Sequence, residues 1–117
     1  MAETPHHSQG PDAEPLLSTM LSESPELVAI VEQFVRGLPE RMEAIQDALR
    51  QQSFDRIERL AHQLRSAGNS HGYAELTRAA GGLEQAAHAH AVDELTAKVH
   101  DMASLVERIR AGLQQDE

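Results

Sequence analysis

The stretch LTAKVHDMASLVERIRAGL, residues 95–113, carries Leu95, Val99, Met102, Val106, Ile109 and Leu113 at alternating steps of four and three. Steps of that size gather the six apolar side chains on one side of a helix, which predicts an amphipathic helix with a single buried seam. Asp93 and Glu94 fall in its first turn, where negative charge favours the positive end of the helix dipole.

The same pattern recurs upstream. Leu27, Val31, Phe34, Leu38, Met42, Ile45 and Leu49 form one stripe at steps of three and four, after Ser24, Pro25 and Glu26, a hydroxyl cap, a first-position proline and a first-turn acid. Pro39, close to Gly37, predicts a kink between 37 and 39, with helix resuming to about Gln51. Ser53 is a candidate cap for a second bundle helix running to about Asn69, with Phe54, Ile57, Leu60, Ala61, Leu64 and Ala67 on its apolar face. A third begins near Tyr73 and buries Leu76, Ala79, Ala80, Leu83 and Ala87. Gly81 and Gly82 lie inside it and suggest a close backbone approach. The links near Gln52, Ser70–Gly72 and His88–Ala91 are short, so successive helices should be antiparallel neighbours. The expected fold is all-α: an antiparallel up-down-up-down four-helix bundle over residues 15–117. Before it, residues 1–14 hold Pro5, Gly10 and Pro11 and no apolar period, and read as a disordered tail. The sequence also allows a short helix from Pro15 to Leu21, capping one end of the bundle.

Composition agrees and narrows the function. A chain of 117 residues suits one domain, and an apolar content of 40% with only 3% aromatics suits closely packed helices. No run is long and apolar enough to span a membrane, and the polar, acidic start is unlike a secretory signal, so a cytoplasmic, non-membrane protein is expected. Cysteine is absent, which excludes disulfides, thiolate catalysis and cysteine-ligated zinc. A net charge of −9 argues against a nucleic-acid partner. The exception is residues 53–80, where Arg56, Arg59, Arg65 and Arg78 stand against Asp55, Glu58 and Glu75, a local balance of +1.

Inside that window, a helical wheel centred on Ile57 puts the apolar residues within about 80° and His62 near ~140°, off the buried face. Glu58, Arg65, Ser66 and Asn69 share its side of the helix, at three-, four- or seven-residue spacing. An imidazole so placed has no structural duty and is free to act as a nucleophile near neutral pH. The stretch AHQLRSAGNSHGY, residues 61–73, resembles the signature of histidine-containing phosphotransfer (HPt) domains: a phosphorylatable His, Leu two residues on, then Lys or Arg, then a small residue, with a glycine further on that Gly72 matches. The resemblance extends over roughly Leu21 to Leu113. Arg65 stands where Lys is commoner and Ser66 where Gly is commoner, which preserves charge and smallness.

The resemblance implies that His62 accepts and donates the phosphoryl group, Arg65 pairs with its oxygens and Ser66 keeps the surface open. Asn69, Gly68 and Gly72 would support the docking surface, although tight packing and a helix end explain the two glycines more simply. It further implies a receiver domain of a response regulator, or a hybrid histidine kinase, as partner. Mg²⁺ would belong to the receiver, and the chain, expected to be monomeric, would hold no cofactor of its own. The sequence carries no glycine-rich phosphate loop of the Walker type, so the phosphoryl group is expected from a partner, with the chain a carrier and no enzyme in its own right. A di-iron bundle is disfavoured, since none of His62, His71, His88, His90 and His100 stands three residues after a Glu. The remaining alternative is a non-catalytic bundle that docks on a receiver or kinase and sequesters it.

Overall fold

The computed structural model describes Ser18, Thr19 and residues 25–115, and every described element is helical. The helices are α1 (Pro25–Arg36), α2 (Leu38–Arg50), α3 (Phe54–Ser70), α4 (Ala74–His88) and α5 (Val92–Gln115). Four of them close a ring: α2 packs on α3, α3 on α4, α4 on α5, and α5 back on α2. The three connections in that ring are too short to carry the chain to the far end of a helix, so neighbours run antiparallel, the up-down-up-down bundle expected from the sequence.

The expected kink takes the form of a break at the single residue Gly37. The apolar stripe 27–49 therefore belongs to two helices, α1 and α2. Pro39 occupies the first turn of α2, where its missing N–H is harmless, and α1 leaves the ring to pack on α5 and α2. Val31, Phe34, Leu38, Met42 and Ile45 of the stripe are buried, while Leu27 and Leu49 are only partly so. All six seam residues of α5 are buried. Leu83 and Leu76 of α4 meet Ile57 and Leu64 of α3 in one core, in which Ala48, Ala61, Ala80, Ala86 and Ala87 keep the helix axes close.

The three links share one construction. The middle residue of each, Gln52, Gly72 or His90, has a positive φ of 53°, 81° or 55°. The residue after it donates its N–H to a carbonyl five positions back: Ser53 to Ala48, Tyr73 to Gly68, Ala91 to Ala86, at 2.9–3.0 Å. The middle residue itself bonds three positions back, Gln52 to Leu49, Gly72 to Asn69 and His90 to Ala87. These are Schellman closures, in which a left-handed residue lets the chain satisfy the last carbonyls of one helix. Ser53, Tyr73 and Ala91 then accept, through their carbonyls, the first bonds of the following helix, from Ile57, Thr77 and Leu95. Ser53 sits at the N-cap as expected, but its side chain makes no capping hydrogen bond; the backbone of the turn has taken over that end.

One end of the bundle is further closed from the N-terminal side. Phe34 of α1 stacks on His71, with ring centroids 4.3 Å apart, and Thr19 donates its N–H to the Gly72 carbonyl at 3.0 Å. The short helix allowed over Pro15–Leu21 is not present at Ser18 and Thr19, and its other residues, the Ser24 cap and the tail 1–14 lie outside the described residues.

Left-handed backbone disfavours residues with a Cβ by about 1–2 kcal/mol. Gly72→Ala is therefore expected to lower unfolding stability by about that amount in urea titration. Gln52→Gly, which relieves the same strain at an exposed site, should raise it by a few tenths to about 1 kcal/mol. Equal midpoints for Gly72→Ala and the parent would contradict the turn assignment.

Candidate functional site

His62 is the central residue of the seventeen in α3, and its side chain is 56% exposed. The apolar residues around it, Ile57, Ala61 and Leu64, are buried, so the helix is anchored on one side and presents the imidazole on the other. Ser66 and Asn69 are exposed along the same helix. Gly68 is not: it is buried against α4, where a Cβ would come within 3.1 Å of Thr77 Oγ1 and 3.4 Å of Leu76. Gly72 forms the turn. The two glycines thus serve helix packing and the helix end, the simpler of the roles expected for them.

Because α3 and α4 form a hairpin about Tyr73, residues equally far from position 73 face one another. Three such pairs line the face. The Arg65 stem lies across Gly81, with Cδ 3.5 Å from where a Cβ would stand. His62 Nδ1 is 3.0 Å from Glu84 Oε2, and His88 Nδ1 is 3.2 Å from Glu58 Oε2. Arg65 also bonds Glu84, Nε to Oε1 at 3.1 Å, and its Nη2 lies 3.0 Å from His62 Nδ1. Glu84, at 22% exposed, is the most sheltered member of the trio and holds the other two.

This geometry decides the imidazole tautomer. Nδ1 cannot both donate to Glu84 and accept from Arg65. An ionised carboxylate has no proton to give, so a 3.0 Å contact with it requires N–H on Nδ1. Arg65 needs nothing from the ring, since its guanidinium already has Glu84 Oε1 as acceptor. The proton is assigned to Nδ1 on this ground. Nε2 then carries the lone pair, and no hydrogen bond among the described residues engages it. A carboxylate that fixes a histidine tautomer and so readies the other nitrogen for attack is a recurring arrangement in nucleophilic catalysis.

Residues 29–115 match the family model described as the Hpt domain. The chain belongs to the Hpt domain family. No curated protein and no solved structure matches it. Membership implies a histidine phosphotransfer role in two-component systems, since Hpt domains are phosphotransfer carriers that interact with receiver domains and kinases. Among the described residues of this Hpt domain, no helix is long and apolar enough to cross a membrane, and no three His, Asp or Glu side chains are grouped to hold a metal ion.

Sequence reasoning placed His62 on an exposed face and Arg65 one turn away. The observed partner of Arg65 is Glu84. That residue is twenty-two positions from His62, beyond any spacing rule along one helix. Reflection of the chain about the turn would have found it, and would have found the His88–Glu58 pair as well.

In long-range ¹H–¹⁵N spectra at pH 7.5, the neutral His62 ring is expected to show N–H at Nδ1. Glu84→Ala should return it toward the Nε2–H form that free imidazole side chains favour. A parent spectrum dominated by Nε2–H would contradict the assigned contact.

Proposed function

We propose that this Hpt domain relays a phosphoryl group through Nε2 of His62, taking it from and giving it to the aspartate of a receiver domain. The observation that supports this reading is the exposed imidazole at the middle of α3 with Nδ1 engaged by Glu84, which leaves Nε2 as the nucleophile. In the forward step the Nε2 lone pair attacks phosphorus. The P–Nε2 bond forms, the P–O bond to the aspartate breaks, and the carboxylate leaves with the electron pair. Arg65, one turn from His62, is within reach to bond the phosphoryl oxygens and offset charge in a loose transition state. Ser66, one further residue along, is small enough to let a partner approach, and Asn69 continues that surface.

His88 is the competing histidine, being 79% exposed with Nδ1 on Glu58. Among the described residues no guanidinium lies at bonding distance from it, and this sets His62 apart. The receiver would supply Mg²⁺, and the chain would hold no cofactor of its own. A hybrid kinase carrying a receiver is an equivalent partner, and a receiver substrate places the reaction in the cytoplasm. Among large apolar side chains of the described residues only Ile30 and Val92 are exposed, which supports a monomer that meets its partner through polar contacts. A module that merely docks and sequesters would need neither the free Nε2 nor Arg65.

With a phosphorylated receiver as donor, His62→Gln should accept no phosphate, while its stability stays within about 0.5 kcal/mol of the parent. His88→Gln should label as the parent does. Full labelling of His62→Gln would move the site elsewhere. Arg65→Ala should slow transfer by about tenfold or more without abolishing it, because Arg65 stabilises charge and forms no bond to phosphorus. Ser66→Glu should keep its thermal midpoint and accept phosphate at least about ten times more slowly, since misplacement by about 1 Å already costs ~100-fold. A parent-like rate for Ser66→Glu would mean that the partner approaches from another side.

A further inference from the structure

We infer that Glu84 sets how readily the phosphoryl group leaves His62, by keeping a proton on Nδ1 and by claiming Arg65. The inference rests on His62 being the phosphoryl carrier. Glu84 gives one oxygen to each neighbour, Oε2 to His62 Nδ1 at 3.0 Å and Oε1 to Arg65 Nε at 3.1 Å, and it is more sheltered from water than either.

Consider first the proton. Attack by Nε2 with N–H retained at Nδ1 produces a phosphoimidazolium, and no proton moves. When the group leaves, the P–Nε2 bond breaks, its electron pair returns to Nε2, and a neutral imidazole departs. Had the phosphorylated ring lost the Nδ1 proton, the departing group would be an imidazolate, a much stronger base and a poor leaving group. A carboxylate in contact with Nδ1–H favours the protonated ring through a charge-assisted bond. The proton that orients the resting ring is therefore the proton that keeps the phosphorylated ring reactive.

Arg65 acts in the same direction. In the resting structure its charge is matched by Glu84. Once phosphorylated, one guanidinium faces two anionic groups, the carboxylate and the phosphoryl oxygens, and cannot fully serve both. Gly81 lets the Arg65 stem lie close over α4, which holds the guanidinium on the Glu84 side. The phosphoryl group on His62 is thus less stabilised than it would be with a neutral hydrogen-bond acceptor at position 84, and the domain is biased toward giving the group away.

Other charged groups share this face: Asp55, Glu58 and Arg59 from α3, and His88 from α4, which is paired to Glu58. Because His88 stands on the same face, the measurement is made in parallel in a His88→Gln background.

The full chain is phosphorylated with phosphoramidate, a small phosphoryl donor. Loss of the group from His62 to water is then followed by ³¹P NMR from pH 6 to 9. In the parent, the half-life should change little between about pH 6.5 and 8.5, because Glu84 holds the proton. Glu84→Gln keeps an acceptor for Nδ1–H but no charge. It should live about three- to tenfold longer at pH 8 and converge on the parent toward pH 6, where solvent protonates the ring. Glu84→Asp, which keeps the charge, should restore part of the parent profile. Adding Arg65→Ala to Glu84→Gln should remove the part of the lengthening that comes from the freed guanidinium. A Glu84→Gln half-life and pH profile equal to the parent's would overturn this inference alone. A parent that takes no phosphate on His62 would instead overturn the reading on which it rests.

Discussion

The α3–α4 hairpin turns on Gly72, and its geometry sets most of what the domain presents to a partner. With φ at 81°, Gly72 lets the Tyr73 N–H reach back to the Gly68 carbonyl, and the Tyr73 carbonyl starts the next helix. The number of residues in that turn fixes the register of two antiparallel helices. Gly68, buried without a side chain against Leu76 and Thr77, sets how closely they approach. Every cross-helix contact of the functional face follows from this register: Arg65 over Gly81, His62 on Glu84, Glu58 on His88. An insertion or deletion of one residue in the turn would shift each partner by one position and leave His62 without its carboxylate.

Stability and function draw on opposite sides of the same helix. The core of leucines and small alanines holds α3 in place through Ile57, Ala61, Leu64 and Gly68. The His62–Glu84–Arg65 trio lies in partial contact with water, where ion pairs contribute little to stability, typically ~0–1 kcal/mol. Its value is in orientation, since it fixes a tautomer and holds a cation beside the ring. The surroundings suit this use. The window 53–80 has a slight positive balance in a chain of net charge −9, so most of the chain's negative charge lies outside the segment that carries His62 and Arg65.

Much of this was legible in the sequence because it depends on short-range periodicity. The α5 seam and the exposed placement of His62 match the structure, and the three links fall within about one residue of their expected positions. What the sequence obscured depends on turns and on tertiary packing. The stripe 27–49 looks continuous because Gly37 preserves its phase, yet the chain breaks there and frees α1 to pack on α5. Ser53 looked like a capping side chain, but the Schellman closure satisfies that end through the backbone. Gln52 and His90 show no sign in their residue type that they adopt left-handed backbone. Glu84 reads as an ordinary surface acid until the turn residues are counted, when reflection about Tyr73 places it on His62.

The central claim is that Nε2 of His62 is the atom that carries the phosphoryl group, because Glu84 holds the other nitrogen. The most direct measurement is a ³¹P–¹⁵N correlation spectrum of the ¹⁵N-histidine-labelled full chain after reaction with a phosphorylated receiver domain. The account predicts a single one-bond coupling, from phosphorus to Nε2 of His62. Coupling to Nδ1 of His62, or to a nitrogen of His88 or any other histidine, would contradict it.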